Sequence, residues 1–326
     1  MPLVIALGGN ALIRAGERGT AAEQLAALRE TCAELRPLVQ SGDVVVTHGN
    51  GPQVGNELLR QERAADEVPP LPLYLAVAQT QAEIGALIEA ELAPVAGRPV
   101  ACLLTHVQVA EDDPAFQHPT KPIGPFYGEQ EAQTLERERG WQLVQDAGRG
   151  FRRVVPSPTP LEIVELESLR ALLGSGVVAV ACGGGGIPVV SRNGTLKGVD
   201  AVIDKDRASA LLARRLGAER LLILTEVPAV YRAFGSSAPE ELRELTVDEA
   251  ETLLPELAAG SMRPKVEAAV ELGRAGGETL ITSAAALGEA LEGRAGTRVA
   301  ELAAAGVKRV TLELGGKSPN VVRVAA

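Results

Sequence analysis

Six lysines stand out among the groups able to do chemistry: Lys121, Lys197, Lys205, Lys265, Lys308 and Lys317, against 26 arginines and with none in the first 120 residues. An ammonium is a compact point charge and a guanidinium a broad planar fork. A chain that uses arginine for its generic cations therefore marks with each lysine a pocket that the fork does not fit. On composition alone, drift that leaves six survivors explains the count slightly better, so position has to decide. Lys205 lies in Ile203-Asp204-Lys205-Asp206 where a helix begins, Lys265 follows Gly260-Ser261-Met262-Arg263-Pro264 near another helix start, and Lys121 sits in Pro119-Thr120-Lys121-Pro122. Ammonium groups held by neighbouring carboxylates let an acidic protein concentrate positive charge on a polyphosphate. The plainer reading of Lys205 is a solvated cluster of alternating charges.

Three glycine clusters supply the complementary backbone chemistry. Gly8-Gly9, Gly49-Asn50-Gly51 and Gly183-Gly184-Gly185-Gly186 each follow a short apolar run that reads as a buried strand. Without a Cβ the main chain can approach a phosphate, and its N–H groups together with a helix dipole favour an anion. Any one cluster is well explained as a tight turn; three together favour a phosphorylated ligand. The usual phosphate loops are missing. The nearest approach to G-x-x-x-x-G-K-[ST] is Gly316-Lys317-Ser318, with Thr311 where the first glycine is required, and G-x-G-x-x-G does not occur. P-loop, protein-kinase and dinucleotide-dehydrogenase readings lose their main support. His48, His106 and His118 are dispersed and there is no G-x-S-x-G, so a nucleophilic hydrolase lacks its parts.

The elements that must position these groups alternate between strand and helix. Strands are expected at residues 4–7, 44–47, 99–105, 177–181, 221–224 and 279–282, and helices over residues 20–39, 53–65, 74–92, 161–173, 204–216, 247–254 and 261–273. Thr20 with Glu23 three residues on forms a capping box. Such alternation argues for a largely parallel sheet with helices on both faces. Residues 112–160 break the pattern: they are rich in Pro and Gly, hold five of the eight aromatics (Phe116, Phe126, Tyr127, Trp141, Phe151) and contain one helix at 128–139, as a small arm would.

Composition bounds the partners. The 326 residues are 46% hydrophobic and 23% charged, with a formal net charge of −10 and 2% aromatics. That suits a globular chain of one or two lobes, and not a nucleic-acid binder, which needs a basic surface and stacking rings. Cys32, Cys102 and Cys182 are far apart and lack C-x-x-C spacing, as buried thiols of a reducing compartment do. No apolar run approaches the ~20 residues that cross a bilayer. The expectation is a cytoplasmic protein without nucleic-acid or membrane partners.

Six segments in register resemble carbamate kinases, within the amino-acid kinase superfamily: residues 4–12 (VIALGGNAL), 48–55 (HGNGPQVG), 119–126 (PTKPIGPF), 182–189 (CGGGGIPV), 197–208 (KGVDAVIDKDRA) and 260–268 (GSMRPKVEA). The resemblance runs in order from residue 3 to about 298. It implies an α/β fold, a three-layer α/β/α sandwich around a central, mostly parallel sheet, with a small protruding subdomain that matches the arm at about 112–160. It divides the chain into an N-terminal carbamate lobe over 1–190, a C-terminal nucleotide lobe over 191–299 and an atypical tail over 300–326. The implied reaction is reversible phosphoryl transfer, carbamoyl phosphate plus ADP giving carbamate plus ATP, with Mg²⁺ held mainly by the nucleotide phosphates and by no metal ligands of the protein. Carried over by motif, Gly8, Gly9, Asn10, Gly49, Asn50 and Gly51 would hold carbamate and the transferred phosphoryl group, with Gly184 and Gly185 lining the substrate side. Lys121, Lys205 and Lys265 would be catalytic, with Asp206 orienting the lysines. Lys205 and Lys265 would also meet the nucleotide phosphates, and Tyr231 and Met262 would flank its adenine or ribose. A homodimer and a place in arginine metabolism are implied as well. A relative acting on another small carboxylate or phosphonate is the alternative within the fold.

The tail carries a second resemblance. Residues 307–322 (VKRVTLELGGKSPNVV) are similar to a segment of aldehyde dehydrogenases, in which the glutamate of E-L-G-G, here Glu313, activates water beside a cysteine nucleophile. Neither that cysteine nor a dinucleotide-binding domain accompanies it, so no dehydrogenase activity is expected. Truncation after Val299 should leave a passive tail's host active; a tail that disturbs the C-terminal lobe would instead leave a catalytically impaired, self-associating protein.

Overall fold

A computed structural model of the chain describes residues 2–14, 16–145, 150–236, 238–258 and 260–301. The tail resemblance, with Lys308, Glu313 and Lys317, lies outside the described residues. An eight-stranded sheet runs through the middle in the order Glu244–Thr246, Thr297–Ala300, Glu278–Ser283, Arg220–Thr225, Leu3–Leu7, Val44–His48, Val178–Val180, Val100–Cys102. Every neighbouring pair is parallel except Thr297–Ala300 against Glu278–Ser283.

Period-two burial sorts the strand side chains into two cores. Ile5, Leu7, Val44, Val46, Leu222 and Leu224 face helices Ala21–Val39 and Leu73–Ala96, through Leu28, Leu35, Ile84 and Ile88 among others. Val4, Ala6, Val45, Leu221 and Ile223 face the other way, onto helices Lys205–Leu216 and Met262–Arg274. Strands apolar on both faces are what a parallel sheet covered on two sides requires. The result is the expected helix–sheet–helix sandwich. Helix Ala21–Val39 begins as the sequence predicts, with Thr20 as N-cap and Glu23 closing the capping box.

The arm is a separate antiparallel sheet, Lys121–Tyr127, Phe151–Val155 and Leu143–Gln145, with helix Glu129–Arg139 beside it. Further strands leave the expected pattern. Residues 161–173 were expected as one helix; instead Pro160–Ile163 is a strand paired with His106–Val109, and the helix is Leu166–Gly174. Leu166, Leu169 and Leu173 do keep a helical spacing, but Leu161 and Ile163 alternate exposed and buried through the strand ladder, and Glu165 at the junction accepts two hydrogen bonds from His106. The hairpin Ile187–Arg192 with Thr195–Gly198 completes that four-stranded sheet.

Candidate active site

Strands Leu3–Leu7, Val44–His48 and Val178–Val180 end side by side, and the three glycine clusters follow them directly. The parallel register sets Leu7 beside His48, and Gly49 N–H donates to Leu7 carbonyl at 3.3 Å. At Gly183, Gly184 and Gly185 the backbone threads between groups a Cβ would strike. An added carbon would lie 2.2 Å from His48 Nε2, 2.3 Å from Asn50 Nδ2 and 2.3 Å from the Ile203 carbonyl oxygen, respectively. Gly184 and Gly185 also have φ of +65° and +88°, so only glycine lets this loop close over the second cluster. Buried amide bonds fix the arrangement. Gln81 Nε2 donates to Gly183 carbonyl at 2.9 Å while its Oε1 accepts from Thr105 N–H at 2.6 Å, and Asn50 Nδ2 donates to Thr80 Oγ1 at 2.9 Å.

These clusters open onto a cleft of about 180 Å³. Lys205 and Asp206 start the helix on its opposite wall, Lys265 projects from the first turn of Met262–Arg274, and Lys121 reaches in from the first residue of the arm. Two carboxylates hold the three ammonium groups. Asp206 pairs with Lys205 through Oδ1 and accepts from Lys265 Nζ through Oδ2 at 3.1 Å; Asp204 Oδ2 accepts from Lys121 Nζ at 2.5 Å. Asp204 is at once the N-cap of helix Lys205–Leu216, its Oδ1 accepting from Asp206 N–H at 2.8 Å. The cluster is buried, with Lys205 only 9% exposed and Asp206 2%, which excludes a solvated surface patch of charges.

Electrostatics follow from that burial. Desolvation works against both aspartates, yet Lys121 holds the Asp204 carboxyl well below the ordinary carboxylate range, and Lys205 and Lys265 do the same for Asp206. Burial pulls Lys205 below an ordinary lysine in spite of Asp206; for Lys265 burial is outweighed by Asp206 and Asp204, and its pKa rises. Helices Gly51–Arg63, Lys205–Leu216 and Met262–Arg274 all begin at this cleft, adding their N-terminal dipoles to the lysines. Three ammonium groups and three helix N-termini on one small cleft can receive a multiply charged anion such as a phosphate group.

Residues 1–283 match the model of the amino acid kinase family. The chain belongs to that family. Within it the similar proteins are carbamate kinases: that of Staphylococcus haemolyticus (strain JCSC1435) is 46% identical over 91% of this chain and 98% of its own length, and that of Pyrococcus horikoshii is 44% identical over the same shares. The structure of carbamate kinase from Giardia lamblia bound to citric acid superposes with a TM-score of 0.87 at 40% identity, covering 92% of this chain and 98% of that one; the same enzyme bound to AMP-PNP gives 0.83.

In this amino acid kinase the cleft gathers Gly9, Gly49, Asn50, Gly51, Gly184, Lys121, Lys205, Asp206 and Lys265 from the expected set. Gly8 sits just behind, where an added Cβ would lie 2.5 Å from the Leu224 carbonyl oxygen, and Asn10 follows in the turn Gly9–Ala11. Gly185 is buried in the wall. Tyr231 and Met262 do not line the cleft: Tyr231 stacks obliquely on Phe234 with centroids 6.0 Å apart, and Met262 packs against the core. Lys197 lies on the exposed strand Thr195–Gly198 and does not line the cleft with Lys121, Lys205 and Lys265. Sequence reasoning missed Asp204. Its position two residues before Asp206 was a signal, but an aspartate before a helix reads as a cap and nothing more. Arg152, which also lines the cleft, was lost among the many arginines.

Proposed function

We infer that the chain is a carbamate kinase, catalysing the reversible conversion of carbamoyl phosphate and ADP to carbamate and ATP. The observation that carries this reading is the cluster of Lys121, Lys205 and Lys265 on Asp204 and Asp206, facing the Gly49-Asn50-Gly51 turn across one small cleft. In the direction of carbamoyl phosphate synthesis a carbamate oxygen attacks the γ-phosphorus, the bond to the β-phosphate oxygen breaks, and ADP leaves as an oxyanion. The nucleophile is already anionic, so no proton need be removed, and alignment and charge stabilisation supply the catalysis.

The roles divide by element. Backbone N–H groups of the glycine clusters and the N-terminus of helix Gly51–Arg63 hold the acceptor and the transferring group. Lys205 and Lys265, oriented by Asp206, neutralise the nucleotide phosphates. Lys121 follows the charge on the phosphoryl group from the arm. Asp204 and Asp206 have every carboxylate oxygen engaged by an ammonium or a helix N–H. Mg²⁺ would accordingly be held mainly by the nucleotide phosphates, where it would supply screening of their charge.

We place the acceptor lobe in residues 1–190 and the nucleotide lobe in 191–299. Support comes from the sheet: strands of the first stretch occupy one side of Leu3–Leu7 and strands of the second occupy the other, with the cleft at this seam. Tyr231 and Met262 belong to the second lobe and are proposed to border the nucleoside. A homodimer is proposed from the resemblance, with size-exclusion chromatography as its test. The deciding experiment is ATP formation from carbamoyl phosphate and ADP in a hexokinase-coupled assay; absence of turnover from folded protein rejects the reading.

A further inference from the structure

The arm is fastened to the body at a point that the transfer chemistry does not use. Glu62, on the last turn of helix Gly51–Arg63, accepts from two arm arginines: Arg139 Nη1 at 2.7 Å and Arg153 Nη1 at 3.0 Å. Both guanidinium groups stand over the ring of Trp141, 5.3 and 4.4 Å from its centroid, and Tyr127 packs against that ring at 6.2 Å. The Glu62 and Arg153 side chains are 23% and 27% exposed. A carboxylate shared by two guanidiniums, one of them largely buried, with an indole beneath both, holds more firmly than a solvated ion pair.

The geometry connects this fastening to Lys121. In the arm's ladder Arg153 pairs with Ile123 and Lys121 pairs with Val155, so the fastened residue lies one pleat from the strand position that carries the ammonium. Next to Ile123, the arm strand rests on the backbone of the same helix: a Cβ at Gly55 would lie 1.9 Å from Gly124 Cα. The far end of that helix is Gly51 in the cleft. One rigid helix thus carries the acceptor-binding turn at its start, the arm's bearing in its middle and the arm's clamp at its end.

We propose that Glu62 is a positioning residue for phosphoryl transfer, clamping Arg139 and Arg153 so that the arm holds Lys121 at its station over the cleft. The proposal rests on the carbamate kinase reading. Trp141 is the chain's sole tryptophan, so its fluorescence reports the clamp without any turnover. Glu62→Gln keeps size and polarity and removes the charge. Acrylamide quenching of Trp141 should rise at least about twofold. The kcat for ATP formation should fall about tenfold with the KM for ADP within about twofold, since a displacement of about 1 Å in a catalytic group costs one to two orders of magnitude. In a Lys121→Ala background the same substitution should alter the residual kcat by less than about twofold, because a residue acting through Lys121 has nothing left to position. An equal fall in both backgrounds, an unchanged kcat, or unchanged quenching overturns the proposal. Arg139→Gln, which spares the Arg153 pair, should move both readouts in the same direction by less and serves if Glu62→Gln does not fold. Should the wild type make no ATP, the functional reading fails, while the quenching series still decides whether the clamp exists.

Discussion

At the scale of single residues, the site depends on the shape of its charges as much as on their sign. Lys205 is enclosed by Asp206 and by Gly49, whose added Cβ would sit 3.3 Å from the lysine Cδ. A guanidinium in that space would have to displace the glycine turn proposed to receive the acceptor. Lys205→Arg should therefore lower kcat by about a hundredfold or more although the charge is kept, as measured in the coupled ATP assay; near wild-type turnover would refute the assigned role. His48 makes a different prediction. Burial pushes its imidazole down to about 4, and its Nε2 faces the Gly183 backbone with no hydrogen-bond partner among the described residues. The unfolded chain, with a histidine pKa near ~6.5, binds a proton that the folded chain refuses between about pH 6.5 and 4. The neutral form's contribution is complete above that window and declines as pH falls through it, by about 3 kcal/mol. Urea unfolding of the wild type should show this slope, and His48→Gln should remove it. The aspartates are distinct: with lowered folded pKa values, their contribution is lost only below about pH 4. Lysine position was legible in the sequence for Lys121, Lys205 and Lys265, because each fell in a motif beside a turn or helix start. Lys197 lay in such a motif too, but a hairpin strand carries it to the surface.

At the scale of elements, helix Lys205–Leu216 does two jobs through one side chain. Asp204 caps it through Oδ1 and holds Lys121 through Oδ2. Asp204→Asn separates them. Its amide oxygen can still cap, so thermal stability should change by less than about 1 kcal/mol beyond the loss of the ion pair. Lys121, in contrast, loses its anionic partner, and kcat should fall at least about tenfold while ADP affinity, measured by calorimetry, stays within about threefold. A large loss of ADP affinity would show that Asp204 serves the nucleotide side instead. Elements of the main sheet were legible because parallel strands covered on both faces leave continuous apolar runs such as Val44-Val45-Val46. The strand Pro160–Ile163 was not, since four residues running straight into a helical stretch carry too short a pattern to mark the ladder with His106–Val109. Its fold is decided by a partner some fifty residues away, and periodicity sees only neighbours.

At the scale of the whole molecule, the described chain ends in an interior strand of the central sheet. Thr297–Ala300 lies between Glu278–Ser283 and Glu244–Thr246, with Ala300 in register with Thr246, and Thr297 Oγ1 accepts from Val230 N–H at 2.7 Å. The last described sheet residue is thus Ala300, one beyond the point at which a cut after Val299 would fall, and that cut would remove a rung from an interior strand. The family model closes at residue 283, and relatives are matched over nearly their entire length while about a tenth of this chain is left over. Among the described residues, the cleft, the arm and both cores are assembled from positions up to Val299. Truncation after Glu301 should therefore keep kcat and the KM for ADP within about twofold of the full chain. Truncation after Val299 should retain turnover but lower the unfolding midpoint, because the ladder to Thr246 loses its end. Loss of activity on removing residues 302–326 alone would mean that the leftover segment completes the kinase, and its likeness to an aldehyde dehydrogenase segment would then have to be read as a kinase element in its own right.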